Sequence, residues 1–228
     1  MRVLAIDTAL GACAVAVLDN GSGDNLISES LPMARGHAEA LVPLIARVMR
    51  QSDMTFADID RVAVTSGPGS FTGLRVGISA ARGISLAAGK PAVGVSTLSA
   101  YAAPHLAEDD AARVVAAIDA RHEYVYLQVC EPNGGILVAP RLAPLSEAVR
   151  AASEAPSRIV GSAAQSVADK LSRGAPIPLR IDARDAPDIA WVARLGAALP
   201  AGQSPPKPQY LRAPDAQPQN AASLPRRC

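Results

Sequence analysis

Short apolar runs rich in Val, Ile and Ala recur along this chain, each closed by a turn signal, and two of them lead into long segments of helical period. Residues 3–6 are continuously apolar and end in Asp7-Thr8, the pattern of a strand covered on both faces. After a turn at Gly11, residues 13–18 give a second strand. Asn20-Gly21-Ser22-Gly23 marks a hairpin, and residues 26–30 give a third strand. A helix is predicted over residues 37–51, a strand over 62–65, a helix over 71–88 and a strand over 92–95. The order is βββαβαβ.

After Pro104 the same order begins again. Strands are predicted over residues 113–118, 123–130 and 136–139, then a helix over 146–152 capped by Ser146. A short strand at Ile159-Val160 runs into Gly161-Ser162-Ala163-Ala164 and a helix carrying Val167 and Leu171. A last helix, residues 188–199, sets Ile189, Val192 and Leu195 on one face. Ile6-Asp7-Thr8-Ala9 is echoed by Ile118-Asp119-Ala120-Arg121, and Gly67-Pro68-Gly69-Ser70 by Gly161-Ser162-Ala163-Ala164. Two similar units imply two stacked α/β domains, residues 1–104 and 105–201, with a cleft between them. Asp7 and Asp119 then lie at the carboxyl ends of first strands, where ligand clefts of α/β folds form. Residues 202–228, rich in Pro, Gln and Ala, read as a flexible tail with one anchored stretch at Tyr210-Leu211.

Candidate chemistry gathers between Arg61 and Lys90. A β-branched run enters Ser66-Gly67-Pro68-Gly69-Ser70, and a helix follows at once. Glycines there leave amide N–H groups uncovered, and the helix start adds unpaired N–H groups and the positive end of its dipole. Such a loop is an anion cradle by construction, or else a tight βα connection with no ligand. It is not a P-loop, because Leu74-Arg75 stands where Lys-Ser/Thr would follow Gly73. It matches neither the dinucleotide fingerprint nor the hydrolase elbow. Ser70 and Thr72 fit capping better than nucleophilic roles, with no His or Lys placed by sequence to activate them.

Both long helices carry a second pattern. Gly73, Gly77, Ala81 and Ser85 recur every four residues, giving a smooth ridge on which another helix can seat closely. In the first helix Leu41, Leu44, Ile45 and Val48 form a stripe that Val42 and Met49 widen beyond what one sheet requires. Pro43 predicts a late start or a bend. One reading makes these surfaces a partner interface formed by His37, Leu41, Ile45, Val48, Gly73, Gly77, Ala81 and Ser85. The other packs the helices on each other and on their own sheet.

Composition narrows the class. The chain has 228 residues, 49% of them hydrophobic, and a net charge of +1. No apolar run reaches the roughly 18 residues of a membrane span, and no signal peptide is evident after Met1-Arg2. Cys13, Cys130 and Cys228 lack metal or disulfide spacing, which points to a reducing cytoplasm. Scattered basic residues, with one Trp, four Tyr and two Phe, exclude an independent nucleic-acid binder.

The order of elements, with Asp7-Thr8, the string from Gly67 to Gly77, Asp119-Ala120-Arg121, Arg35-Gly36-His37-Ala38-Glu39 and Pro208-Gln209-Tyr210-Leu211-Arg212, resembles the TsaB (YeaZ) family of bacterial tRNA threonylcarbamoyladenosine biosynthesis proteins. The resemblance implies an α/β actin/hsp70/sugar-kinase-like fold of two RNase H-like domains. It also implies a non-catalytic paralogue of TsaD. TsaD holds a metal through two histidines in the segment after the Gly-Pro-Gly helix, and this chain reads Val95-Ser96-Thr97-Leu98-Ser99-Ala100-Tyr101 there. Hydroxyls are poor ligands for such a metal, and His37, His105 and His122 have no metal spacing.

A scaffold subunit follows. It pairs with a TsaD-like catalytic subunit, forms a homodimer when alone, is joined by a TsaE-like ATPase, and meets tRNA only through the complex. ATP or ADP with magnesium belongs to that complex. Asp7, Thr8, Gly67, Gly69, Asp119 and Gly161 mark a vestigial nucleotide cleft. Asp7 and Asp119 read either as strand-end structural carboxylates or as ligands of a magnesium-bound water. Ala9, standing where nucleotide-binding members carry glycine, favours the former. Arg121 pairs with Asp119 on the structural reading. The rival reading is a self-sufficient actin-fold ATPase, kinase or peptidase-like enzyme; a generic dimeric binding module is a third.

Overall fold

A computed structural model describes residues 1–212, apart from residues 22, 109, 110, 201 and 203. Two five-stranded mixed sheets carry the fold. The first comprises β1 (Arg2–Asp7), β2 (Ala12–Asp19), β3 (Asn25–Pro32), β4 (Arg61–Gly67) and β5 (Ala92–Ser96), ordered β3-β2-β1-β4-β5. The second comprises β6 (Arg113–Asp119), β7 (Tyr124–Cys130), β8 (Ile136–Pro144), β9 (Ser157–Val160) and β10 (Arg180–Asp182), ordered β10-β9-β6-β7-β8. Read from the first strand outward, the two orders are the same, so the repeat seen in sequence is a repeat of topology. In each sheet the first strand pairs antiparallel with the second and parallel with the fourth. This is the α/β architecture of two RNase H-like units expected of the actin/hsp70/sugar-kinase fold.

Among the described residues, six helices cover the sheets: α1 (His37–Gln51), α2 (Phe71–Ala88), α3 (Thr97–Leu106), α4 (Leu145–Ser153), α5 (Ala164–Asp169) and α6 (Ile189–Ala198). Leu41, Leu44, Ile45 and Val48 of α1 join Leu74, Ile78 and Ala81 of α2 on the outer face of the first sheet, against Leu4, Ile6 and Val64. Helices α4 and α5 cover the outer face of the second sheet. The inner layer departs from the division at residue 104. Helix α3, which straddles that boundary, packs Leu98, Tyr101 and Ala102 from its first side on Val114, Ala116 and Ile118 of the second sheet. Helix α6, on the second side, packs Ile189, Val192 and Ala193 on Val3, Ala5 and Ala63 of the first. Each unit therefore borrows a helix from the other half of the sequence. Burial from both sides explains why all of β2 is buried.

Other local expectations change. Pro43 neither delays nor ends α1; it lies on the helix's exposed side, where water can satisfy the carbonyl left unpaired one turn earlier. Helix α4 starts at Leu145 after Pro144, with no side-chain cap from Ser146. The expected hairpin turn at residues 20–23 includes residue 22, which lies outside the described set, as do Cys228 and the tail from residue 213. Cys13 and Cys130 are buried and free. No helix among the described residues is long and apolar enough to cross a membrane.

Candidate functional site

The Gly-Pro-Gly loop follows β4 and meets the end of β1. Gly67 (φ 114°) makes the turn that only glycine makes without strain, and Ser70 caps α2 by accepting a hydrogen bond from the Gly73 N–H. Two amide groups of this segment, those of Ser70 and Gly73, are engaged within the chain. The Ser70 N–H donates to the Ala9 carbonyl at 2.7 Å. A Cβ on Gly69 would lie 2.5 Å from that same oxygen, and one on Gly73 would lie 2.0 Å from the Thr8 carbonyl. The Thr8 hydroxyl donates to the Gly73 carbonyl at 2.7 Å. Loop and strand end are in direct contact, as in a tight βα connection.

Asp7 is fully buried at the end of β1. Its Oδ1 accepts from the Thr65 hydroxyl at 2.6 Å and the Ala9 N–H at 3.0 Å, while Oδ2 has no partner. Burial pushes this carboxyl above its ordinary value, against the two hydrogen bonds and the nearby His37. The carboxyl is enclosed by the chain and is not offered to solvent. His37 bonds through Nε2 to the Leu10 carbonyl at 3.0 Å, fastening the start of α1 to the loop after β1. Among the described residues no three His, Cys, Asp or Glu side chains come together as a metal-binding group.

The second unit repeats this closure. Gly161 (φ 104°) lies against the Ala117 carbonyl, which accepts from the Ala163 N–H at 3.1 Å. Asp119 is exposed, and its Oδ1 accepts from the backbone N–H of Arg121 at 2.8 Å. The expected Asp119–Arg121 pair is thus a turn bond through the main chain. Arg121, His122 and Glu123 all take positive φ there.

The helical surfaces differ from expectation in direction. Gly73, Gly77 and Ala81 are buried against this chain's own first sheet. A Cβ on Gly77 would lie 2.5 Å from Thr8 Oγ1 and 3.3 Å from Val64 Cγ2. The small-residue row lets α2 sit close on β1 and β4, so it is no partner surface. Ser85 bonds the Lys90 carbonyl at the helix end. Ile45 and Val48 are likewise core residues. Of the eight expected interface residues, Leu41, itself buried, is the one that lines a groove of about 500 Å³ between α1 and α2, while His37 and Ser85 are half-buried away from it. That groove is lined mainly by residues outside the expected set: Ala38 and Val42 of α1, and Phe71, Thr72, Arg75 and Val76 of α2. Val42 is 67% exposed and Leu86, further along α2, 86%. The signal for them lay in apolar residues standing off the buried stripe, such as Val42 and Leu86.

The family model described as TsaD, tRNA N6-adenosine threonylcarbamoyltransferase, matches residues 32–182. A protein from Escherichia coli called tRNA threonylcarbamoyladenosine biosynthesis protein TsaB is 44% identical over 126 residues, 55% of this chain and 53% of that protein. A tRNA N6-adenosine threonylcarbamoyltransferase from Brucella anthropi is 35% identical over 120 residues, 45% of this chain and 33% of that protein. The chain spans about half the length of the TsaB relative and a third of the transferase. A solved structure described as an uncharacterized protein with similarity to peptidase YeaZ from Pseudomonas aeruginosa superposes with a TM-score of 0.77. It has 28% identity and covers 92% of this chain and 99% of its own. With the family model covering well over half its length, and a fold shared throughout with YeaZ, this chain belongs to the TsaD family, in its TsaB (YeaZ) branch.

Proposed function

We propose that the chain takes part in tRNA threonylcarbamoyladenosine biosynthesis as a non-catalytic subunit that docks a TsaD-like catalytic subunit and holds it in its active arrangement. The observation that carries this reading is the apolar groove between α1 and α2, lined by the exposed Val42 and Phe71, with the exposed Leu86 further along α2, on helices whose other faces are filled by the core. Exposed apolar surface concentrated at one place on a protein marks an interaction site. The match to the TsaD family model includes both helices. A TsaD-like subunit would then present a similar helix pair, and like pairs can meet face to face across an approximate two-fold axis. The same geometry supports a homodimer when the chain is alone. A stable pairing would cover roughly 1,200–2,000 Å² in total.

The closed contacts of Ala9 with Ser70 and of Thr8 with Gly73, and the enclosed Asp7, support the non-catalytic part of the reading. ATP or ADP with magnesium is held by the catalytic subunit and a TsaE-like ATPase, and tRNA is met through the assembly in the cytoplasm. A self-sufficient ATPase, kinase or peptidase-like enzyme is the alternative reading, and turnover by the purified chain would favour it.

The test introduces charge where the core is untouched, with Val42→Asp and Leu86→Asp. Both variants should melt with the wild type yet fail to co-purify with the TsaD-like subunit, and transferase activity of the mixture should fall with them. Retained co-purification would refute docking at this face. Threonylcarbamoyl transfer by the purified chain alone would refute the scaffold role.

A further inference from the structure

Residues 204–212 form a strap that belongs to neither sheet. It crosses the carboxyl ends of β5 and β4: the Gly94 N–H donates to the Ser204 carbonyl at 2.8 Å, and the Gln209 N–H donates to the Ser66 carbonyl at 2.7 Å. Two glycines make room for it. A Cβ on Gly94 would lie 3.3 Å from Pro206 Cα, and one on Gly67 would lie 2.8 Å from the Gln209 carbonyl oxygen. Pro206, set against Gly94, is buried. The far end then reaches two separate places. The Tyr210 ring stacks on Phe71 with centroids 5.3 Å apart, and Arg75 Nε donates to the Tyr210 hydroxyl at 3.3 Å. The Arg75 guanidinium lies 3.7 Å over the Phe71 ring. Arg212 donates to the Ala120 carbonyl at 2.8 Å, just past the end of β6 in the second sheet.

Phe71 and Arg75 line the α1–α2 groove, so the strap places Tyr210 on its rim. In a chain with two Phe and four Tyr, a stacked Phe–Tyr pair left about half exposed under an arginine is a concentrated feature. Tyr and Arg are the side chains that most often dominate binding energy at protein interfaces. Here their rotamers are held before any partner arrives, which lowers the ordering cost of association.

We propose that the strap is part of the docking face: Tyr210, held on Phe71 and Arg75, anchors the helix pair of a TsaD-like subunit, while Arg212 ties that anchor to the second sheet. Partner binding is thereby coupled to the seating of the two sheets, because both ends of one short segment are fixed to different units. The proposal rests on the docking reading above, with the partner named there.

Tyr210→Ala and Arg212→Ala separate the two roles. In calorimetric titration against the purified TsaD-like subunit, Tyr210→Ala should weaken binding at least about tenfold, a hot-spot effect. Arg212→Ala, which does not touch the groove, should weaken it about threefold, as a modest coupling would. Amide exchange on the free protein should show faster exchange at Gln209 in both variants. It should also rise around Ala120 in Arg212→Ala. Wild-type affinity in Tyr210→Ala would overturn the anchor, and unchanged exchange and affinity in Arg212→Ala would overturn the coupling. A wild-type chain with no affinity for the TsaD-like subunit would overturn the docking reading and this proposal together.

Discussion

The seat of α2 on β1 makes a sharp prediction at Gly73. Replacing this glycine by alanine in a helix interior ordinarily gains about 1 kcal/mol. Here the new Cβ would meet the Thr8 carbonyl oxygen at 2.0 Å, with Ser70 Cβ 3.4 Å away on another side. The obstacle is main chain, so α2 or β1 has to move, and the cost lies near the top of the roughly 1–3 kcal/mol range for overpacking. The same movement stretches the buried Thr8 hydroxyl bond to the Gly73 carbonyl. Leaving that pair poorly made costs about 1–3 kcal/mol more. The net expectation is a loss of about 3–5 kcal/mol, or roughly 6–20 °C in melting temperature at this chain length. Gly83 is the internal control, because it is an exposed α2 position where a Cβ would meet nothing within 4 Å. Gly83→Ala should therefore gain about 1 kcal/mol from helix propensity alone. Thermal melts followed by circular dichroism should rank Gly83→Ala above wild type and wild type above Gly73→Ala. A Gly73→Ala protein that melts with or above the wild type would refute the close seat of α2.

Two further outcomes follow from buried polar groups. The Asp7 carboxyl is raised in the folded chain, so folding favours its neutral form; that stability is fully present below the ordinary value of 3.8 and is lost as pH rises through the raised one. Asp7→Asn should thus gain on the wild type in melting temperature between pH 4 and pH 7, and a gap independent of pH would contradict the assignment. Arg61 is buried and donates through Nη1 to the Gly196, Ala197 and Leu199 carbonyls at the end of α6. Arg61→Ala should cost about 2–3 kcal/mol in urea unfolding, and a cost within error of zero would mean that this cap does not hold α6.

Most strands and both long helices were legible because their signals are local. β-Branched runs such as residues 62–65 and the glycines at 67 and 161 depend little on what lies opposite. Helix α3 gave no such signal. Leu98, Ala100, Tyr101 and Ala102 are all buried, so no polar face marks its period, and Pro104 reads as a breaker. Strand β10 is three residues long and exists through pairing with β9. At the site, the spacing of Gly73, Gly77 and Ala81 showed that one face of α2 is small. It could not show whether a helix or a sheet fills the space against it, and the sheet does. Asp7 was legible as a strand-end carboxylate. The main-chain bonds that close the loop around it were not, since Ser70 N–H to Ala9 carbonyl joins positions far apart in sequence.

The exchange of α3 and α6 between the two sheets bears on how the polypeptide acquires its shape during synthesis. The first sheet is complete in strands once Ser96 has been made, yet its inner face stays uncovered until Ile189, Val192 and Ala193 have left the ribosome. Over that interval the nascent chain carries an unshielded apolar sheet face, and the second sheet must assemble beside it. Folding of the first unit on its own, from the amino terminus as large chains usually fold, would leave that face bare until α6 is made.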